Sequence, residues 1–189
     1  PYLYDSYMFF LEEWGIKNIW FMTIHEEEWT SSDVELYDKL MGEIFDYIKD
    51  NITKEDYNML RIFSPMNRCL KPLKQFDAPC GAGKTLITVT AKGDIYPCHN
   101  FYTNDKEGKT CIGNVNEGID FEKNKEFAEY TTKDISCPSS CDHYNCFRCI
   151  ATNWSFNGDF KKQIRGNYCR MSKIEQKYTE KMRYLIVAL

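Results

Sequence analysis

Cysteine is the residue type in this sequence best suited to chemistry. The chain of 189 residues holds nine cysteines, and eight of them lie between Cys80 and Cys169. Four of these fall within the segment CPSSCDHYNCFRC. Because the total is odd and no secretory leader is recognisable, a disulfide framework is disfavoured. In a reducing compartment, such a density of thiols indicates metal ligation.

The spacing of the cysteines favours iron–sulfur clusters over zinc. Structural zinc takes four ligands, often from two CxxC pairs. Here one strict CxxC pair occurs, Cys146 and Cys149, and the other intervals are irregular. Seven or eight thiolates in one small region suggest two four-iron clusters, since each takes four thiolates. A zinc-stabilised binding module without a redox role is the alternative, and a disulfide-rich interaction domain is a third.

The segment GAGKT, residues 81–85, matches the end of a phosphate-binding loop but lacks its context. Ala78 stands where the first glycine of that motif is required, and a proline-rich stretch precedes it. The β-branched run that follows predicts a strand, whereas a phosphate-binding loop continues into a helix. We therefore expect Gly81 and Gly83 to let the backbone turn tightly around the site that Cys80 serves.

The periodicity of apolar residues predicts an α+β protein. A helix that starts at residue 7 and ends near Gly15, a buried strand over 18–24 and a long helix after residue 29 form an α/β segment, residues 1–60. Ser32 and Glu35 form the pattern of a capping box for the long helix. Its apolar stripe consists of Tyr37, Leu40, Met41, Ile44 and Ile48.

The second half of the chain has a different pattern of prolines, glycines and apolar residues. Residues 61–79 contain three prolines without periodicity and are predicted to be a linker. Alternating residues on both sides of Gly93 predict a β-hairpin with Gly93 in the turn. A closing helix is expected over 171–189, with one apolar face made of Ile174, Tyr178, Met182 and Leu185.

Residues 80–170 resemble a known family. Twelve residues separate Cys80 from Gly93, four separate Gly93 from Cys98, and a four-cysteine segment and a last cysteine follow. With the local sequences CGAG, KGDIYPCHNF, IGNVNEG and CFRCIATNWSFNGD, this pattern is similar to the SPASM domain of radical S-adenosylmethionine enzymes. Residues 1–60 resemble the end of the partial α/β barrel that precedes this domain in the family.

The resemblance implies two auxiliary 4Fe-4S clusters in a small β-hairpin and helix domain organised around them. By the family's pattern, the first cluster takes Cys80, Cys98 and Cys149, with Cys111 or Cys69 as a possible fourth ligand. The second takes Cys137, Cys141, Cys146 and Cys169. The central segment departs from the family's usual order of spacings. We also expect little apolar core here, so that the clusters supply folding energy.

The resemblance further implies a maturase that modifies a peptide or protein substrate, similar to anaerobic sulfatase maturases. An electron donor such as ferredoxin or flavodoxin, S-adenosylmethionine and a third 4Fe-4S cluster would belong to the full-length enzyme. The sequence lacks the CxxxCxxC motif that holds the third cluster. We therefore expect the chain by itself to be inactive.

Charge and hydropathy exclude two classes of partner. The net charge is −4 and no cluster of lysine and arginine stands out, which argues against nucleic acid. The longest apolar runs are too short to cross a membrane. The sequence predicts a cytoplasmic protein.

Overall fold

The chain folds into two compact units, each with its own core. One unit comprises residues 1–72, 143–146 and 165–189, and the other comprises 73–142 and 147–164. The computed structural model describes residues 1–21, 23–24, 28–53, 80–134, 137, 141 and 149–188. The predicted linker, residues 61–79, lies outside these ranges. Elements are mixed helix and strand, so the α+β class is confirmed at that level.

The first unit is helical in its described residues. Helix α1 spans Leu3–Met8 and continues into one π-helical turn, Phe9–Glu13. Helix α2 spans Ser31–Asn51, and helix α6 spans Asn167–Ala188. Helices α2 and α6 pack against each other because each carries the predicted apolar stripe. The fully or nearly buried members of the two stripes are Leu40, Met41, Ile44, Ile48, Ile174, Tyr178 and Met182.

Polar contacts reinforce the packing of α2 on α6. The Lys177 ammonium group lies 2.7 Å from the Asp38 carboxylate, and the Tyr178 hydroxyl donates a hydrogen bond to the Asp38 carbonyl. Gly42 allows the close approach of the two helices, since a Cβ at that position would lie 2.9 Å from the Tyr178 hydroxyl oxygen.

The capping box of α2 lies two residues earlier than predicted. Thr30 is the N-cap residue, with extended backbone angles of φ −80° and ψ 167°. Its hydroxyl accepts from the Asp33 N–H, and the Asp33 carboxylate accepts from the Thr30 N–H at 2.9 Å. The prediction of Ser32 and Glu35 is wrong because Ser32 already has helical geometry within the first turn. A residue in that geometry cannot serve as the N-cap.

The predicted strand over residues 18–24 is absent from the described part of that segment. Residues 18–21 and 23–24 form no strand. Their burial nevertheless alternates, because Ile19 is buried, Trp20 is half exposed and Phe21 packs on the core of the first unit. A strand needs a hydrogen-bonded neighbour, and every strand of the described residues belongs to the second unit. The assignment of residues 1–60 to a barrel stays a prediction.

The second unit is built on a small antiparallel sheet. Its strands, in spatial as in sequence order, are β1 Thr88–Val89, β2 Asp94–Tyr96, β3 Gly113–Asn114 and β4 Gly118–Ile119. The predicted hairpin of β1 and β2 is confirmed, with Thr88 opposite Tyr96. Gly93 has φ +87°, a backbone angle that favours glycine. A Cβ at this position would also lie 2.8 Å from a methyl group of Val115, so both the backbone angle and the available space require glycine.

Three short helices lie among the described residues of the second unit. Helix α3 spans His99–Asn104, α4 spans Phe121–Ala128 and α5 spans Ile150–Asn157; a single 3₁₀ turn covers Thr132–Asp134. Phe101, Phe127 and Phe160 stack through ring contacts at 5.0 Å in a buried core with Ile95, Ile112 and Ile150. The expectation of little apolar core is therefore wrong, since three aromatic rings dispersed in the sequence meet in one cluster.

No helix among the described residues combines the length and apolar character that crossing a membrane requires.

Candidate metal centre

Three predicted ligands of the first cluster come together in the second unit. Cys80 is exposed, Cys98 is buried and Cys149 is partly buried. Burial raises the pKa of the Cys98 thiol, and the charges of Cys149 and Cys80 raise it further. Because such charge effects act only at short range, the Cys80 and Cys149 thiols both lie near the Cys98 thiol. Their separations in sequence are large, so tertiary folding alone assembles the group.

A tight turn delivers Cys80 to this group. The Gly81 carbonyl accepts hydrogen bonds from the N–H groups of Lys84, Thr85 and Leu86. The Gly83 N–H donates to the Pro97 carbonyl at 2.9 Å, which ties the turn to the residue before Cys98.

Only glycine fits at position 83. The residue has φ +70°, and a Cβ would lie 2.9 Å from the Phe127 Cβ. The predicted tight turn at the two glycines is observed, and its role around a metal site stays a prediction. The chain then continues into strand β1 and not into a helix. A phosphate-binding loop requires a helix at this point, so the turn does not have the geometry of such a loop.

Cys98 and Cys149 both lie directly before helices. Cys98 is the N-cap residue of α3 and Cys149 is the N-cap residue of α5, and α3 packs against α5. Hydrogen bonds from the backbone N–H groups of Phe101 and Asn100 lower the pKa of the Cys98 thiol and so oppose the effect of burial. Neither bond has the geometry of a regular helix cap. The Asn100 side-chain amide donates to Cys149 Sγ across 3.8 Å. Burial is the larger effect at Cys98, so its pKa stays above the ordinary value.

Cys111 has a different environment. Its thiol donates a hydrogen bond to the Gly113 carbonyl at 3.3 Å, next to the hairpin of β3 and β4. Burial raises the pKa of Tyr96, and the neighbouring Cys111 raises it further. A cysteine that donates its proton to a carbonyl is arranged as a structural thiol. Cys69, the other possible fourth ligand, lies outside the described residues.

The predicted ligands of the second cluster are divided between the two units. Cys137 packs, partly buried, against the core of the second unit, and Cys141 is exposed in the same unit. Cys169 lies in the first turn of α6 in the first unit. Cys146 lies outside the described residues. No two of the described cysteines are joined by a disulfide bond.

The donor set of the first group fits a thiolate-bound iron–sulfur cluster. It offers three thiols and, beside them, N–H donors of the kind that stabilise cluster sulfurs. The hydroxyl of Thr152, one helical turn after Cys149, is buried without a hydrogen-bond partner among the described residues. Within those residues, no three His, Cys, Asp or Glu side chains converge around the position of a single metal ion. Each thiolate of a four-iron cluster binds a different iron, so its ligands lie further apart than those of one zinc ion.

Asn100 is the site residue that the sequence pattern did not reveal. The chain offered one signal, an amide side chain two residues after Cys98. Its partner, Cys149, is 49 residues away in sequence, and no local periodicity relates the two.

No protein-family model matches this chain, and no curated protein matches it.

Proposed function

We propose that this chain is the C-terminal part of a radical S-adenosylmethionine enzyme that modifies a peptide or protein. In this proposal its cysteine-rich region binds two auxiliary 4Fe-4S clusters. The resemblance of residues 80–170 to the SPASM domain motivates the proposal. The observation that supports it is that the Cys80 and Cys149 thiols both lie near the Cys98 thiol.

Each cluster has an assigned set of protein ligands in this proposal. Cys80, Cys98 and Cys149 hold the first, and Cys137, Cys141, Cys146 and Cys169 hold the second. When bound, such clusters transfer single electrons at potentials set by charge, hydrogen bonds and exposure. The chain's own contribution would be the buried Cys98 thiol as a ligand and the backbone N–H donors of Asn100 and Phe101 beside that thiol.

The remaining partners belong to the longer enzyme. S-adenosylmethionine and a third cluster bind elsewhere, and an electron donor such as ferredoxin or flavodoxin reduces the clusters. We infer that this chain alone does not cleave S-adenosylmethionine, because it carries no CxxxCxxC motif.

Iron analysis with a matched pair of cysteine variants tests the proposal. Anaerobic reconstitution of the whole chain should give roughly eight irons and eight sulfides. Cys98→Ser should lower the iron content to about half, because it removes a ligand of one four-iron cluster. Cys111→Ser is the control and should retain the full content, since its thiol bonds to a carbonyl.

Two outcomes would contradict the proposal. One is stoichiometric zinc, without iron uptake, in protein purified in the absence of oxygen; this would favour the zinc-stabilised binding module. The other is full iron content in the Cys98→Ser protein, which would remove Cys98 from the ligands of the first cluster.

A further inference from the structure

Asn100 touches two thiols that come from distant parts of the chain. It occupies the first turn of α3, two residues after Cys98, and its backbone N–H lies beside the Cys98 sulfur. Its side-chain Nδ2 donates to the Sγ of Cys149, which begins α5. The packing of α3 on α5 brings these groups together. Asn100 is therefore placed between two of the three thiols in the candidate centre.

The rest of the residue is fixed in place. The Asn100 carbonyl accepts from the Thr103 hydroxyl at 3.2 Å and from the Asn104 amide at 2.9 Å. The neighbouring Phe101 is fully buried in the core. These two bonds hold the backbone carbonyl of Asn100, whereas its partly buried side-chain amide donates to the Cys149 sulfur.

The chemistry of this contact has a definite direction. A primary amide can only donate to a thiolate through its NH₂ group, and a thiolate accepts more strongly than a thiol. Donation withdraws negative charge from the sulfur. It therefore stabilises the more negative, reduced state of any cluster that the sulfur ligates.

We propose that Asn100 is a positioning residue that holds Cys149 in place and raises the reduction potential of the first cluster through its hydrogen bond to Cys149 Sγ. This inference rests on the proposed function and adds a determinant of the potential outside the cysteine ligands. In this proposal the side-chain amide of Asn100 acts on the cluster and is not needed for α3 to fold.

Redox titration followed by electron paramagnetic resonance tests the inference on the whole, anaerobically reconstituted chain. Three variants are compared with the parent: Asn100→Leu removes the donor, Asn100→Asp replaces it by a carboxylate of the same shape, and Asn104→Leu is the control. Asn104 lies one turn further along α3 and donates to the Asn100 carbonyl. The signal lost in Cys98→Ser identifies the first cluster.

The expected result is an ordered shift confined to the first cluster. Its potential should become more negative in Asn100→Leu and more negative again in Asn100→Asp, because a negative charge then faces the sulfur. The second cluster and the Asn104→Leu protein should keep the parent potentials. Weaker retention of the first cluster's iron, by roughly tenfold to a hundredfold in affinity, would accompany the shift.

The outcomes separate this inference from the proposed function. Absence of iron from the parent protein would overturn both. Full iron content with an unchanged first potential in both Asn100 variants would overturn the role of Asn100 alone. Equal shifts in the Asn104→Leu control would also overturn it, because the effect would then belong to α3 as a structural element.

Discussion

Asp105 carries a buried carboxylate that is held by hydrogen bonds within the second unit. It is 7% exposed, and its carboxylate accepts from the Thr110 hydroxyl at 2.7 Å and from the Thr110 N–H. Burial alone would raise the pKa of Asp105. The hydrogen bonds from Thr110, Lys109 and Glu107 outweigh that effect and hold the pKa below its ordinary value. The carboxylate thus closes the loop between α3 and β3.

Asp105 makes the stability of the second unit depend on pH. Because its pKa is lower in the folded state, its contribution is complete above the unfolded value of about 3.9. That contribution is lost as the pH falls through the folded pKa. Asp105→Asn should lower the free energy of unfolding by about 1–3 kcal/mol at pH 7. It should also flatten the loss of stability between neutral and strongly acidic solution.

Urea unfolding at a series of pH values measures both effects. Glu117→Gln is the control, since Glu117 is an exposed carboxylate in the turn between β3 and β4. It should reproduce the parent's pH profile. An Asp105→Asn protein whose stability falls with acid as steeply as the parent's would contradict the assignment.

At the scale of single elements, the start of α2 depends on one threonine. Thr30 and Asp33 satisfy each other's backbone N–H groups in the capping box. The hydrogen bonds from the Thr30 hydroxyl and N–H lower the pKa of Asp33, so the box is complete when that carboxylate is charged. Ser32, two residues further on, is exposed and lies inside the first turn.

Thr30→Ala and Ser32→Ala form a matched test of the cap. Loss of the N-cap hydroxyl should destabilise the first unit by about 1 kcal/mol, because one helix N–H is left without its partner. Ser32→Ala should change stability by less than about 0.5 kcal/mol, as for an ordinary surface position. Chemical denaturation of the two proteins decides the point, and a larger loss in Ser32→Ala would place the cap where the sequence pattern predicted it.

At the scale of the whole molecule, the chain has two separate apolar cores. The core of the first unit draws on both ends of the sequence, since α6 packs against α2. The core of the second unit is aromatic and comes from residues between Ala82 and Phe160. Each core therefore depends on contacts between residues that are far apart in the chain.

Met182→Ala should destabilise one unit selectively. Met182 is 1% exposed in the first core, and its truncation should cost about 2–5 kcal/mol through lost contacts and a cavity. Amide hydrogen exchange should then show weaker protection in α2 and α6 and unchanged protection around Ile95 and Ile112. Tyr184→Ala, at a residue 80% exposed on the same helix, should alter neither unit. Equal loss of protection in both units would contradict two separate cores.

The sequence by itself determined the features that depend on near neighbours. The apolar stripes of α2 and α6 repeat every three to four residues, so their buried faces were predictable from periodicity. The turn at Gly93 was predictable because only glycine readily adopts its backbone angles. The density of thiols indicated metal chemistry, because the ligand type of a site is a property of its residues.

Tertiary structure decided what depends on residues distant in the chain. The described part of 18–24 forms no strand, and no described residue of the first unit offers it a neighbouring strand, which the segment's own composition does not encode. The choice of Thr30 over Ser32 as N-cap depended on where the first helical turn begins. The proximity of Cys98 and Cys149, and the approach of Asn100 to Cys149, required the packing of α3 on α5. The sequence specifies which thiols are present and how far apart they lie along the chain. The packing of the folded chain determines which of them lie near one another in space.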